Sequence, residues 1–585
     1  DKARWIMQGN APGRKLPFHD AGITGSGQTA QISDTGLDVN SCYFYDSSGA
    51  VVKDKSGTVD RSKRKVVQYY AVINNKDGHG HGTHCAGIIL GKRCTGNGCL
   101  ATGNGCLADG VVTEADGSAP DAKIAVYDID DKYTFLYPDN ADPMFKHGMS
   151  AGATVHSASW GNDVNAYQDH DRDFDKFQYN NPSFLVVFSA GNSGSYEDDD
   201  GGVYNDDYDN NDDYDDNDDY DDNDDYDDDG SDDDGCSDDG SGDGGSDSSD
   251  HVIVFNIKNT SSSVAKNNLN VCATMNDGEG LGQYYIAHFS SMGPSSDGRI
   301  KPDICAPGTM INSAKKSTSR TCASQTMSGT SMSCPGVAGS TLLLRQYFMD
   351  GFYPTGTKDP QDAFTPTGYL IKAAILNSGR PLLGRDNKQE EAMYPSNPYD
   401  ESQGFGLISL IDAVYLHGES KAKVLVWDQV DLENRGVWEE TINFGSCSAQ
   451  QTSVTMSYFD KESVSGCSEC MTNRLDLTVI KRGQTLYPNG KIGPDTKNNS
   501  QRVRFGKDND TITVRVEAIN LITASQKFAL VVSGCIDIAS NRPTEIPSNK
   551  PIEIPLKGLS NSTKKKKATK GGKSVKGGDK GGKSA

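Results

Sequence analysis

The first third of the chain alternates short apolar runs with turns that are rich in glycine. Thr29–Ser33 and Lys123–Tyr127 are typical of strands, and Phe184–Phe188 is apolar throughout, as in a parallel strand that is buried on both faces. Helical patterns lie around His84–Leu90 and Pro143–Gly152. This alternation predicts an α/β fold, with helices flanking a parallel sheet whose active site lies beyond the carboxyl ends of the strands.

The pattern resumes at about residue 251 and changes after about residue 420, where strand-like runs follow one another without a long helix. These runs are Thr441–Phe444, Thr452–Tyr458, Leu475–Ile480, Thr511–Val516 and Phe528–Val532. They predict an all-β sandwich or jelly roll. We therefore expect an α/β domain over residues 1–418, a β-sandwich domain over 419–540, and a disordered tail over 541–585 that is rich first in proline and then in lysine and glycine.

The charge of the chain is concentrated in one segment. The formal net charge is -24, but residues 196–250 contain 28 Asp or Glu and no Lys or Arg. The rest of the chain has 53 acidic and 57 basic residues, so the charge gives no reason to expect nucleic-acid binding. The acidic segment has almost no aliphatic residues to bury, and we predict that it is a disordered surface loop inserted in the α/β domain.

The tail carries the opposite charge. From Lys564 onward it contains nine Lys and one Asp. Two readings stay open: the tail contacts anionic wall, mineral or lipid surfaces, or it is simply disordered.

Several features bear on the compartment in which the protein works. No apolar run reaches about 18 residues, which predicts no transmembrane segment. The first residue, Asp1, follows neither a Met nor a signal peptide, so we expect a processed form. The 14 Cys and four Asn-X-Ser/Thr sequons favour a secreted or extracellular protein, or one of the vacuole or another secretory compartment. The sequons begin at Asn259, Asn498, Asn509 and Asn561.

A plainer alternative is that the sequons arose by chance and that the thiols are small buried hydrophobes. The pair Cys467 and Cys470 does not predict a zinc site, because no second Cys or His pair follows at ligand spacing.

Ser331 lies in the segment Ser328-Gly-Thr-Ser-Met-Ser-Cys-Pro-Gly-Val-Ala-Gly339. Gly329 permits a tight turn, and the small and apolar residues that follow predict a helix. The hydroxyl would then lie at a helix N-terminus, where unpaired N–H groups can meet a developing oxyanion. Taken alone, such a serine more often marks an ordinary helix cap.

His81 lies in the segment Asp77-Gly-His-Gly-His-Gly-Thr-His-Cys-Ala-Gly87. Neighbouring histidines raise the possibility of a metal site, but no third ligand lies at a recognisable spacing. We therefore predict that His81 is a general base and that His79 and His84 are structural.

Two polar side chains follow predicted strands. Asp34 ends the strand in Gln31-Ile-Ser-Asp-Thr-Gly36, where its carboxylate can orient an imidazole. Asn192 follows the buried strand in Ser189-Ala-Gly-Asn192, where its amide can donate to an oxyanion. Each residue alone would indicate only a turn at a strand end.

The four motifs occur in the order Asp, His, Asn, Ser, and in this the chain resembles the subtilisin-like serine proteases, the subtilases of peptidase family S8. Further matching segments are Gly117–Lys123, Ser159–Gly161, Phe289–Pro294 and Asp297–Gly308. The resemblance covers about residues 20–415. The predicted sandwich is similar to the C-terminal β-barrel of a branch of alkaline subtilases, with Asn473–Thr478 as the best-matching piece.

The resemblance implies a serine endopeptidase that hydrolyses peptide bonds in proteins through an acyl-enzyme intermediate. It implies that Ser331 is the nucleophile, that His81 is its general base and that Asp34 orients His81. Asn192 and the backbone N–H of Ser331 would hold the oxyanion.

The resemblance also implies a substrate-binding edge at Ser159, Trp160 and Gly161, against which the substrate lies as an added strand. Main-chain pairing of this kind tolerates many sequences, so we expect broad cleavage of protein or peptide substrates. One departure from the family pattern is Gly336, which stands where a His often follows the proline of the serine motif. It lies off the predicted triad.

The acidic segment begins close after Asn192, beside the expected specificity pocket. One hypothesis is that it attracts basic substrates and repels acidic ones. The alternative is a tolerated loop without a function. The first would be excluded if cleavage of Lys/Arg-rich and of Asp/Glu-rich peptides were equally insensitive to salt and to deletion of residues 196–250.

The predicted chemistry needs no cofactor. Members of the family often carry structural Ca²⁺, but this chain has no EF-hand loop and its calcium ligands cannot be assigned from the sequence. Two rival functions are a pseudoenzyme retained for adhesion and a matrix- or mineral-binding protein with a passenger protease. The presence of all four motif residues counts against the pseudoenzyme.

Overall fold

The computed structural model describes residues 2–73, 75–94, 115–131, 134–135, 141–161, 164–194, 263–317, 321–386, 399, 402–507 and 510–538. The predicted acidic loop at 196–250 and the tail at 541–585 lie outside these ranges.

The α/β part of the chain, residues 2–413, contains a large sheet and two short hairpins. Its strands are β1 (Thr29–Asp34), β2 (Lys53–Asp54), β3 (Val66–Ala71), β4 (Lys123–Asp128), β5 (Asp130–Asp131), β6 (Thr134–Phe135), β7 (Val155–Ala158), β8 (Leu185–Ser189), β9 (Leu269–Thr274), β10 (Tyr285–Ile286), β11 (Ile304–Pro307), β12 (Ile311–Ala314), β13 (Ser324–Met327) and β14 (Gly384–Arg385). Its helices are α1 (Lys2–Gln8), α2 (Pro17–Asp20), α3 (His81–Leu90), α4 (Ala141–Ser150), α5 (Asp169–Asn180), α6 (Thr330–Met349), α7 (Gly368–Ser378) and α8 (Leu410–Ala413), with a 3-10 turn at Pro360–Asp362.

The large sheet has the strand order β14-β10-β9-β8-β7-β1-β4-β3-β2, and β11 also pairs with β9. Its pairs are parallel except for β9 with β10. The predicted α/β fold with a mostly parallel sheet is therefore confirmed. β8, β7 and β1 are adjacent, so the residues that follow their carboxyl ends share one edge of the sheet.

Strand β8 shows why the sheet folds this way, since all its residues are buried. Leu185 and Val187 belong to one hydrophobic core with the apolar side of α6. Val186 and Phe188 point into a second core on the opposite face, built largely from aromatic side chains of α4 and α5. The continuous apolar run therefore supplies both faces of the sheet, as the period of two along a strand requires.

The second part of the chain is a sandwich of antiparallel strands. They are β15 (Lys423–Glu433), β16 (Val437–Ile442), β17 (Gln451–Ser457), β18 (Arg474–Lys481), β19 (Gln484–Leu486), β20 (Ser500–Gly506), β21 (Ile512–Asn520) and β22 (Ser525–Gly534). One sheet has the order β15-β22-β17-β20 and the other β16-β21-β18-β19. The two sheets enclose a hydrophobic core of their own. An all-β region after the α/β part is thus present, while the exact domain boundaries stay predictions.

The sandwich holds both ends of helix α7. At its N-terminus, the backbone N–H and the hydroxyl of Thr367 donate to the carboxylate of Asp428 at 3.0 and 2.6 Å. At its C-terminus, Arg502 donates to the carbonyl of Leu376 at 2.6 Å, and Arg504 to that of Asn377 at 2.7 Å. A carboxylate at the start of a helix and guanidinium groups at its end match the sign of the helix dipole.

Four disulfides join described cysteines: Cys42–Cys322, Cys272–Cys305, Cys447–Cys535 and Cys467–Cys470. The sequence predicted no zinc site at Cys467 and Cys470, and the sulfur atoms of this pair are joined in a disulfide. Within the described ranges, no helix combines the length and the apolar character needed to cross a membrane.

One predicted sequon can be placed in the fold. The side chain of Asn498 is buried, and its amide nitrogen donates to both carboxylate oxygens of Asp495 at 3.1 and 2.8 Å. This sequon is therefore closed to modification in the folded chain. The other three begin outside the described residues.

Candidate functional site

Asp34 is the last residue of β1, and its side chain is almost completely buried. Its Oδ1 atom accepts hydrogen bonds from the backbone N–H of Thr35 at 2.8 Å and from His81 Nδ1 at 2.7 Å. These bonds fix the carboxylate and make the Nε2 atom of His81 the one that faces away from it.

His81 is the first residue of α3, and the glycine beside it lets the helix approach β1 closely. A Cβ atom on Gly82 would lie 2.2 Å from the carbonyl oxygen of Gly36, in the turn that follows Asp34. Only glycine fits at this contact. The Gly-rich motif therefore serves to bring the imidazole within hydrogen-bond distance of Asp34.

Asp77 orders the same corner and was not singled out by the sequence pattern. Its buried carboxylate accepts hydrogen bonds from the backbone N–H groups of Gly80 and Thr83 at 2.7 and 2.8 Å. The hydroxyl of Thr35 also donates to it at 2.9 Å. Asp77 thus caps the start of α3 and ties it to the residue after Asp34. An Asp shortly before a helix start is the signal that could have revealed it.

The neighbours of His81 set its protonation. Burial lowers the pKa of His81, but the charge of Asp34, its hydrogen bond and the contact with Cys85 together outweigh this and hold that pKa well above its ordinary value of 6.5. The side chain of His81 is 27% exposed while that of Asp34 is 2% exposed, so the ring is reachable from outside and its partner is not.

Ser331 is the second residue of α6, as predicted for a serine at a helix start. Its hydroxyl donates to the carbonyl of Ser159 at 3.4 Å, and the Ser159 hydroxyl donates in return to the carbonyl of Ser331 at 3.1 Å. Among the described residues, no hydrogen bond joins Ser331 to His81. Both residues contact Cys85, whose sulfur lies 3.8 Å from His81 Nε2 and 3.3 Å from the Ser331 carbonyl.

Asn192 lies beside the start of α6, with its amide group in a fixed orientation. Its Oδ1 atom accepts hydrogen bonds from the backbone N–H and from the hydroxyl of Thr330, both at 2.8 Å. Its Nδ2 atom has no partner among the described residues. A Cβ atom on Gly329 would lie 3.4 Å from this Nδ2 and 3.6 Å from the backbone nitrogen of Ser331. The two donors therefore flank one point in space.

The predicted substrate-binding residues follow β7, the neighbour of β1. Ser159 contacts Ser331 as described. The indole of Trp160 is buried and donates to the carbonyl and the hydroxyl of Ser33 at 3.0 and 2.8 Å, so this side chain packs into the sheet. Gly161 comes next in the chain. The structure thus places this edge beside Ser331, with the tryptophan side chain pointing away from it.

Two buried free cysteines were also missed by the sequence interpretation. Cys85 lies one turn after His81, and Cys334 lies one turn after Ser331. Burial raises the pKa of Cys85, and it raises that of Cys334 to about 12. Both thiols therefore stay protonated at neutral pH and pack beneath the site.

The other two histidines of the motif differ in environment. His84 is buried, with Nε2 3.1 Å from each of the carbonyls of Ile311 and Gln325, and burial lowers its pKa to about 4. It is a neutral structural residue, as expected. His79 is exposed.

A metal site is one further possibility for these side chains. In the described part of the chain, Asp34, His81 and Cys85 are the one group of His, Cys, Asp or Glu side chains close enough to share an ion. A thiol and an imidazole do not suit Ca²⁺, which binds oxygen ligands. This group therefore does not fit the calcium expected from the family, and structural calcium stays a prediction without assigned ligands.

The site as a whole brings together a buried carboxylate, an imidazole bonded to it, a hydroxyl at a helix start and two N–H groups whose nitrogens lie 3.4 and 3.6 Å from one point. Groups of these kinds are the ones that nucleophilic acyl transfer uses as orienting acid, base, nucleophile and oxyanion donors. Such a set is typical of serine hydrolases.

Comparison with known proteins gives the family. The model of the subtilase family matches residues 25–406, which is more than half of the chain. The chain therefore belongs to the subtilase family of serine peptidases.

Relatives among characterised proteins have the same classification. Two serine protease/ABC transporter B family proteins of Dictyostelium discoideum, tagB and tagD, are 26% and 27% identical over 88% and 81% of this chain. The chain spans only 30% and 27% of their length. Among solved structures, the prenylagaramide maturation protease PagA is 18% identical with a TM-score of 0.36, and the match covers 69% of this chain and 97% of that one.

Proposed function

We propose that this chain is an endopeptidase that cleaves peptide bonds in proteins through an acyl-enzyme, with Ser331 as the nucleophile. The observation that carries the proposal is the 2.7 Å bond between His81 and the buried Asp34, at a sheet edge where Ser331 heads helix α6.

In the proposed first step, a rotation of the Ser331 side chain brings its hydroxyl from the carbonyl of Ser159 to His81 Nε2. The oxygen then attacks the peptide carbonyl while His81 takes the proton, and Asp34 stabilises the imidazolium that forms. The new charge on the carbonyl oxygen is met by Asn192 Nδ2 and the Ser331 N–H. His81 next gives its proton to the leaving amine, and water cleaves the ester by the same route in reverse.

We further propose that the backbone at Ser159, Trp160 and Gly161 lines the substrate. The buried indole of Trp160 supports this role, because it anchors the segment to β1 and leaves no bulky side chain above the cleft. Recognition would then come mainly from main-chain pairing, which tolerates many sequences.

We also infer that the protein works in an oxidising compartment, secreted or within the secretory route. The four disulfides among described cysteines support this, since such bonds persist mainly outside the cytosol. Peptide mapping of the isolated protein without reductant tests it, and free thiols at Cys42 and Cys322 would contradict it.

The direct test is casein hydrolysis by the purified chain beside its Ser331→Ala variant, with calcium supplied. We expect activity in the parent alone, and its loss when a serine-directed phosphonate forms an adduct on Ser331. A folded parent that neither cleaves casein nor reacts with the phosphonate would overturn the proposal and favour a protein retained for adhesion.

A further inference from the structure

A loop of the sandwich reaches the α/β part at the segment that precedes strand β9. This loop, here called the clamp loop, runs from Asp460 to Asn473 between β17 and β18, and the Cys467–Cys470 disulfide lies within it. Its cysteines pack with Tyr167 and Val264 in a small hydrophobic cluster. The other contacts described above between the sandwich and the α/β part are made with the two ends of helix α7.

The two ends of the clamp loop meet at the carboxylate of Asp460. Its Oδ1 and Oδ2 atoms accept hydrogen bonds from the backbone N–H groups of Asn473 and Thr472, both at 2.8 Å. Oδ2 also accepts from Lys266 Nζ at 2.6 Å. The side chains of Asp460 and Lys266 are both fully buried. Asp175 lies 4.0 Å from the same ammonium group, so Asp460 is the nearer of its two buried carboxylates. A buried ion pair of this kind holds its partners in one geometry, because separating them leaves a charge without water.

Lys266 is bound to more than the carboxylate. Its ammonium group also donates to the carbonyls of Lys461 and Cys470 at 2.5 and 2.9 Å. The next residue, Asn267, exchanges two hydrogen bonds of 2.8 Å with the backbone of Asp460. The clamp loop therefore fixes the chain just before strand β9 by side-chain and main-chain bonds together.

From Lys266 the connection continues to the oxyanion side of the site. β9 pairs with β8, and Ala190 N donates to the Val271 carbonyl at 2.9 Å just after β8 ends. The amide of Asn270 also lies 3.4 Å from the Ser189 carbonyl. Asn192 follows directly, so the position of β9 sets where its amide points.

The clamp loop also contacts Tyr167, which lies after the predicted substrate-binding edge. Its Gly466 N–H donates to the carbonyl of Tyr167 at 2.7 Å, and its Ser463 N–H to the Tyr167 hydroxyl at 3.3 Å. Tyr167 follows the predicted substrate-binding edge in the chain. Its hydroxyl donates to Asp175 at 2.8 Å, and Asp175 accepts in turn from the backbone N–H of Lys266 at 3.2 Å. Tyr167, Asp175, Lys266 and the clamp loop thus form a closed ring of contacts.

We propose that the clamp loop sets the distance between the two walls of the substrate cleft, and that Lys266 and Asp460 are the positioning residues through which it acts. The sandwich then contributes to substrate binding and oxyanion geometry without touching the substrate. This inference rests on the proposed peptidase function, because it needs a cleft between Ser159–Gly161 and Asn192.

The test compares buried carboxylates at two places where the sandwich meets the α/β part. Asp460→Asn weakens the clamp loop, and Asp428→Asn is the matched control at the N-terminus of α7, away from the cleft. A third variant, Lys266→Met with Asp460→Asn, removes both charges of the pair and should recover melting temperature relative to Asp460→Asn, because Asp175, 4.0 Å from Lys266 Nζ, keeps its donors from Tyr167, Lys266 N–H and Asn267 N–H. Each is measured in the full chain with a set of tetrapeptide anilides, well below its melting temperature.

We expect Asp460→Asn and the double variant to lose at least tenfold in kcat/KM, through a higher KM and a lower kcat, while Asp428→Asn stays within twofold of the parent. If the role of the pair were only structural, activity would recover together with the melting temperature. Low activity in a double variant with a recovered melting temperature would therefore support the proposal. If activity simply follows melting temperature across the three variants, the inference is wrong. An inactive parent would instead count against the proposed function itself.

Discussion

His81 donates from Nδ1 to the buried Oδ1 of Asp34 at 2.7 Å, and through this contact Asp34 holds the pKa of His81 above 6.5. A general base must be neutral before it can accept a proton. Activity should therefore be low below the raised pKa of His81 and should increase as the pH rises through it, which places the working range on the alkaline side.

Asp34→Asn tests this relationship. The change removes the charge that favours the imidazolium, so the pKa of His81 falls and the acidic limb of the kcat/KM profile should move to lower pH. We also expect kcat to fall by about 10⁴, since the correct tautomer is no longer held. A pH–rate profile measured with one anilide substrate checks both effects, and an acidic limb that does not move would show that another group controls it.

Asn192→Ala removes the side-chain donor to the developing oxyanion. We expect kcat to fall by about 10²–10³ with little change in KM, because the lost bond forms mainly in the transition state. Thr330→Val keeps Asn192 but removes the hydroxyl bond that orients it, and about a tenfold loss corresponds to one hydrogen bond.

Thr341→Val is the matched control for Thr330→Val. Among the described residues its hydroxyl bonds only to the carbonyl of Val337 within the same helix, so activity should not change. An effect on kcat from Thr341→Val as large as that from Thr330→Val would mean that the helix, and not Asn192, had been perturbed.

Gly329→Ala should block the same point in space. Its methyl group would lie 3.4 Å from Asn192 Nδ2 and 3.6 Å from the Ser331 nitrogen, where the oxyanion is expected, and the φ of 152° is itself unfavourable for alanine. We expect at least about a 10²-fold loss of kcat/KM. Gly22→Ala, at a φ of 81° with no atom near the added methyl, controls for backbone strain and should keep full activity.

Sequence patterns predicted those parts of the fold in which burial follows a simple period. The apolar residues of β1, β4, β8 and α3 are buried, as their pattern predicts. The ends of these elements differ from the prediction by a few residues at most. Motif order likewise pointed to the residues that the structure brings to one edge of the sheet.

Strand β20 was not predicted, because its inward positions include polar residues. Gln501 and Arg502 are buried in hydrogen bonds to other segments, so the strand lacks an apolar alternation. Asp77 and Cys85 were missed because their roles depend on tertiary contacts. Their significance depends on which turn the start of α3 contacts, and no local spacing encodes that contact.

Arg502 gives a stability prediction. It donates to the carbonyls of Leu376 and Phe405, at 2.6 and 3.1 Å, from a fully buried position. Arg502→Met removes the charged donor from both buried carbonyls, and we expect the free energy of unfolding to fall by at least about 2 kcal/mol. Arg515→Met removes a partly exposed pair with Glu439 and should change it by no more than about 0.5 kcal/mol. Denaturant unfolding of both variants checks the difference, and equal losses would contradict it.

The hydrogen bonds between the sandwich and both ends of α7 determine which fragments of this chain can fold on their own. α7 lies within the α/β part, yet its cap residue Thr367 and its last carbonyls find partners in the sandwich. A fragment that ends near residue 418 would expose those groups together with the apolar surface around them. The smallest fragment that folds independently therefore extends to about residue 538. A fusion protein should contain the α/β part and the sandwich together.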